Sequence, residues 1–76
     1  MIYLTKTDPG RNMARFYSLD VQPTLFGEWA LMKEWGRIGR RGQIRSALFA
    51  KLSEAEAALG RELKRRDRRG YAVTRT

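Results

Sequence analysis

Between Lys33 and Gln43 the chain reads Lys-Glu-Trp-Gly-Arg-Ile-Gly-Arg-Arg-Gly-Gln, with one tryptophan, three glycines and three arginines in eleven positions. A broad π surface, compliant backbone and guanidinium groups together suit an anionic partner that can also stack. Lys33 and Arg45 extend the cationic character on either side, and Glu34 is the nearest acid. Arg37, Arg40, Arg41 and Arg45 are candidates for phosphate pairing, Trp35 for stacking, and Gly36 for close backbone approach. Lys33 and Gln43, which bound the stretch, complete the candidate binding set.

Catalysis finds little support. The chain has no histidine and no cysteine, which removes the commonest general base, the soft metal ligands and the thiol nucleophile. Its carboxylates are Asp8, Asp20, Glu28, Glu34, Glu54, Glu56, Glu62 and Asp67. Asp8 suits a turn, and the three helical glutamates suit capping and surface pairing. No pair is spaced as an acid–base dyad or a hard-metal site. Gly36, Gly39 and Gly42 follow G-x-x-G-x-x-G, not the dinucleotide fingerprint, and they lead into a strand where that fingerprint must open a helix. The G-x-x-G of a KH loop joins helices, not strands, and no ribonucleoprotein consensus occurs. The expectation is a non-enzymatic chain without cofactor or small-molecule substrate.

Charge is the strongest global signal. Sixteen Lys and Arg face eight Asp and Glu, for a net charge of +8, and twelve of the sixteen are arginine. That balance favours bidentate contact with phosphate or carboxylate. Seventy-six residues predict a single domain spanning 1–76 with a small core. No apolar run is long enough for a membrane span, and the first residues lack a signal-peptide pattern. The absence of cysteine fits a reducing cytoplasm.

The elements that must position the basic stretch follow from periodicity. Ile2 to Lys6 predicts a first strand, closed by the turn-forming Asp8-Pro9-Gly10. Ala14 to Gln22 predicts a second, with Tyr17, Leu19 and Val21 on one face and Pro23 as its end. Thr24 to Gly27 is a connection that tucks Leu25 or Phe26 against the core. Glu28 to Trp35 and Ile44 to Ala50 predict third and fourth strands, with the glycine-rich stretch as their hairpin connection. Ser53-Glu54-Ala55-Glu56 has the form of a capping box, with Leu52 as a staple against Ala57. Ala55, Ala58, Leu59 and Leu63 mark the buried stripe of the helix that follows, and Gly70 its end. Tyr71-Ala72-Val73 docks back onto the sheet. The predicted class is α+β: an antiparallel sheet of about four strands with one C-terminal helix packed on a face.

Glu34-Trp35-Gly36-Arg37-Ile38-Gly39, continued by Arg40-Arg41-Gly42-Gln43, resembles the signature of the WGR domain. The resemblance extends to Arg15-Phe16-Tyr17, to the Phe49 strand and to the helix ending near Gly70-Tyr71. It implies a sheet-plus-helix module of the kind found in DNA-damage-responsive poly(ADP-ribose) polymerases and in bacterial proteins. It further implies that Trp35 packs on the sugar of an end nucleotide and that Arg37 has a backbone or interdomain role. The chain contains none of the catalytic, zinc-finger or regulatory regions of those polymerases.

Two partners fit these residues. One is DNA, bound by backbone and at ends or nicks; the other is an acidic protein docked on the same hairpin. The parity of Trp35 adds a condition. It shares a face with Trp29 and Leu31, so a free indole must lie past the helix's coverage or beyond a bulge near Gly36.

Overall fold

The protein is described by a computed structural model covering residues 1–74. Its strands are β1 (Ile2–Asp8), β2 (Met13–Pro23), β3 (Trp29–Arg37), β4 (Gln43–Phe49) and β5 (Ala72–Val73), with helix α1 (Leu52–Arg68) between the last two. They form one antiparallel sheet in the order β4-β3-β2-β1-β5. The expected class is therefore present, with five strands where about four were predicted. The fifth is the Tyr71–Val73 segment, of which Ala72 pairs with Thr5 and Val73 with Leu4. Two residues carry no periodicity of their own, so only the pairing defines them as a strand.

One face of the sheet is covered by α1. Leu4, Tyr17, Leu19, Leu31 and Ala58 are buried there, with Val21, Phe49, Leu59 and Leu63 packed against them. Each buried leucine contributes roughly 1.5–3 kcal/mol relative to an exposed one. The other face has no second layer among the described residues. On it, Phe16 stacks on Tyr3 with ring centroids 5.7 Å apart. Phe16 thus keeps strict alternation, with its ring on the face opposite to Tyr17.

Several local expectations are corrected. The N-cap lies two residues before the expected serine: it is Lys51, and its amide donates to Glu54 Oε1 at 3.1 Å. Leu52 thereby becomes the first helical residue and is exposed, so it does not staple the turn. Leu25 and Phe26 are not tucked against the core; they are 98% and 87% exposed. Their loop is held by its own bonds. Thr24 N donates to Glu28 O at 2.8 Å, and Thr24 Oγ1 accepts from the amides of Phe26 and Glu28, each at 3.2 Å. So tight a closure leaves the intervening side chains pointing outward. Glu62 is also not a surface residue: it is 7% exposed on the helix's inner face.

The helix ends as predicted. Gly70 has φ +88°, and Gly70 N and Tyr71 N donate to Asp67 O at 3.0 Å and Arg66 O at 3.0 Å. This left-handed cap turns the chain back over the sheet and delivers Tyr71 beside β1 and β2.

Candidate nucleic-acid interface

The register of β2 against β3 runs without interruption from Arg15↔Arg37 to Pro23↔Trp29. No bulge reorients Trp35. It faces the helix side, opposite Tyr17, and is half-buried, packed at the margin of the core cluster. The Trp35 and Tyr17 rings stack with centroids 5.8 Å apart and planes 15° from parallel. Tyr71 meets Tyr17 edge-on at 6.1 Å.

Cations surround these three rings. Lys6, Arg15, Arg66 and Arg69 line a cleft of about 270 Å³ with Tyr17, Trp35 and Tyr71. Arg15 and Arg37 continue it along Trp35 and Gly36. The Arg66 guanidinium lies 4.5 Å over the Tyr17 ring and 5.8 Å from that of Tyr71. Cation–π contact of this kind keeps a guanidinium near the apolar floor without a hydrogen-bond partner for every N–H. Burial, and then the Glu62 charge, raise the Tyr17 hydroxyl above its ordinary pKa; Arg66 opposes this. The phenol is thus a neutral group at physiological pH.

Glu62 anchors this wall from beneath. Arg65 Nη1 lies 3.2 Å and Lys33 Nζ 3.5 Å from Glu62 Oε1, while Arg66 Nε stands 3.9 Å from Oε2. The last contact is a charge pair without a hydrogen bond, since both atoms are buried and neither has a hydrogen-bond partner among the described residues. One carboxylate thus faces three cations, leaving that corner of the molecule net positive.

The predicted binding residues separate into groups. Trp35, Gly36 and Arg37 line the cleft. Arg37 also clamps the β1–β2 turn, donating from Nη1 to Asn12 O at 3.2 Å and from Nη2 to Asn12 Oδ1 at 3.4 Å. Arg40 and Arg41 are exposed at the hairpin tip, and Gln43 is exposed on β4 opposite Trp35. Arg45 is exposed on β4 opposite Lys33. Lys33 is different: its ammonium is drawn under α1 to Glu62. Arg15, Arg37, Arg40, Arg41, Arg45 and Arg69 make no ion pair among the described residues.

The three hairpin glycines also divide. Gly39 has φ +87° and makes the turn. Gly42 serves close approach, because a Cβ there would stand 2.5 Å from Trp35 O and 2.8 Å from Phe16 Cζ. At Gly36 the nearest atom would be Gly42 Cα at 3.0 Å. Phe16 thus fills the notch that these two glycines leave on the far face.

Lys6, Arg15, Tyr17 and Tyr71 were not in the predicted set. They lie 18 or more residues from Trp35 in sequence and reach it only through strand pairing and the helix cap. The alternation of Tyr17 with Leu19 was visible but read as core alone. Among the described residues no group of His, Cys, Asp and Glu could hold a metal ion. No helix there is long and apolar enough to cross a membrane.

The family model described as WGR domain matches residues 1–76. The chain is also similar to a Sinorhizobium fredii (strain NBRC 101917 / NGR234) protein described as uncharacterized protein y4dW. The two are 39% identical over 70 residues, which make up 92% of this chain and 34% of the relative. The chain thus spans about a third of that relative's length.

Proposed function

The chain belongs to the WGR domain family, a family of nucleic-acid-binding type, and on that premise we propose that it is a non-enzymatic module that binds DNA at its backbone and at strand ends or nicks. The observation that carries this reading is the partly exposed Trp35, its ring set against Tyr17 in a cleft rimmed by Arg15, Arg37 and Arg69. A sugar or base needs a flat apolar surface, and its phosphate needs nearby guanidinium groups not neutralised by an ion pair. Both are present together. Within the uninterrupted stack of a duplex the sugar and base faces are hard to reach, whereas a terminus leaves one open; the cleft therefore suits an end or a nick.

Arg40 and Arg41 at the hairpin tip, with Arg45 on β4, extend the positive surface away from the cleft. They suit phosphates further along the duplex, contacts that set affinity without reading sequence. Lys33 serves the fold through Glu62 and not the DNA.

The test is a fluorescence titration of intact, nicked and 5′-phosphorylated blunt duplexes across a salt series, with Trp35→Ala and Arg37→Ala beside the wild type. Three to five phosphate contacts give a slope of about −3 to −4 in log affinity against log salt. Nicked or end-bearing DNA is bound more tightly than intact duplex, and Trp35→Ala removes that preference while leaving the salt slope. Absence of binding to all three DNAs at low salt would overturn the reading. An acidic protein docked on the same hairpin is then the alternative, recognised by a partner complex that Trp35→Ala disrupts.

A further inference from the structure

The outer edge of β4 pairs with no strand among the described residues, since β4 ends the sheet order. The backbone groups it presents follow from hydrogen bonds at the two ends of β3. Ile38 N donates to Ala14 O at 2.9 Å and Thr24 N to Glu28 O at 2.8 Å. Antiparallel ladders alternate in direction, so even-numbered residues of β3 bond toward β2 and odd-numbered ones toward β4. Leu31 lies opposite Ala47 and Lys33 opposite Arg45. Arg45 and Ala47 therefore spend their amides on β3, while Ile44, Ser46 and Leu48 direct theirs outward.

This edge lacks the devices that usually block pairing. β4 contains no proline, its register with β3 is unbroken from Trp29↔Phe49 to Trp35↔Gln43, and Arg45 is its one charged residue. Ile44 and Leu48 are 65% and 59% exposed on the face away from the helix, one on each side of Ser46. The strand is also complementary to itself. In an antiparallel pair centred on Ser46, Ile44 meets Leu48 of a second copy, Arg45 meets Ala47, and Ser46 meets itself. Two apolar cross-strand pairs form, and no two arginines stand directly opposite.

We propose that the β4 edge binds a second copy of this chain, joining two sheets into one of ten strands about a two-fold axis through Ser46. The outward amides and carbonyls of Ile44, Ser46 and Leu48 then bond across the axis, as an isologous contact requires. The two Arg45 side chains become diagonal neighbours on the helix face, and each chain brings a charge of +8. Repulsion therefore opposes the pair, and added salt strengthens it. DNA binding has the opposite salt dependence. A single strand pair is a small interface, so association is weak and concentration-dependent.

The association is measured without DNA, and its outcome is separate from the DNA reading. Light scattering on a sizing column, over a concentration series at low and high salt, is expected to show the mass rising from one chain toward two, more fully at high salt. Leu48→Lys, present twice in the pair, weakens association by about tenfold or more. Ser46→Pro does the same with an unchanged far-ultraviolet spectrum, because its N–H makes no bond to β3. Amide exchange at Ile44, Ser46 and Leu48 slows as concentration rises. A one-chain mass under all conditions overturns the proposal, as does a dimer that survives Leu48→Lys. If Ser46→Pro fails to fold, Leu48→Lys and the exchange rates decide.

Discussion

Tyr17 and Trp35 stand directly opposite each other on β2 and β3, with ring centroids 5.8 Å apart, yet only Tyr17 is buried. Arg66, at the end of α1, lies over Tyr17 and stops there. At that boundary the helix face passes from the buried core to the partly buried rings of Trp35 and Tyr71.

Trp35→Ala should weaken binding to nicked or end-bearing DNA by about 1–3 kcal/mol, the range measured for loss of one stacking contact. That corresponds to roughly 5- to 150-fold in Kd. Trp35→Phe should recover part of the loss, since a smaller ring still offers a face. Fluorescence anisotropy checks both.

Arg40→Gln and Arg41→Gln should each reduce the magnitude of the salt slope by about one, with a uniform loss of affinity across DNA sequences. Lys33→Gln should leave the slope unchanged, because its ammonium is committed to Glu62. Titrations at four or five salt concentrations separate the two behaviours.

Glu62→Ala should destabilise the fold by about 3 kcal/mol in urea unfolding, since it strands Lys33 and Arg66 in partly buried positions without a counter-charge. A domain this small has little stability to spare. The same change frees Arg66, so binding per folded molecule should not fall in proportion.

Gly42→Ala and Gly60→Ala should have opposite signs. A Cβ at Gly42 meets backbone and a buried ring, and overpacking of this kind costs about 1–3 kcal/mol. A Cβ at Gly60 meets nothing within 4 Å inside α1. There alanine should add about 0.5–1 kcal/mol through helix propensity. Paired denaturation midpoints test this.

Tyr17 should ionise above the ordinary tyrosine range in an alkaline absorbance titration. Its hydroxyl is raised above 10.0 by burial and by Glu62. The folded state holds that proton more tightly than the unfolded chain does. The associated stability is therefore complete below pH 10 and lost as pH rises through the folded-state value. Tyr17→Phe should remove that part of the alkaline loss.

Much of the fold was legible in the sequence because it rests on local rules. Strict alternation from Tyr17 to Val21 and from Trp29 to Trp35 specifies faces, the order of apolar and charged residues specifies α1, and Gly70 specifies where it stops. Where the local signal is ambiguous, hydrogen bonds chose between the alternatives. Ser53 and Lys51 both precede a glutamate at the spacing of a cap, and the helix used the earlier one. Leu25 and Phe26 are apolar enough for a core, but the hydrogen bonds of Thr24 close their loop in the other direction.

The candidate site divides the same way. Its chemistry, the arginine excess and the Trp-Gly-Arg run, is written in sequence, because charge and ring count need no coordinates. Its shape is not. Lys6, Arg15, Tyr17, Arg66, Arg69 and Tyr71 reach Trp35 from β1, β2 and the C-terminal end of α1 with the turn after it. Trp35 lies between core and surface: register sets it opposite the buried Tyr17 on the helix face, where it packs at the core's margin and stays partly exposed. Residue types set the charge and ring content of this surface; strand register and the path of the helix end decided which of those residues meet around Trp35.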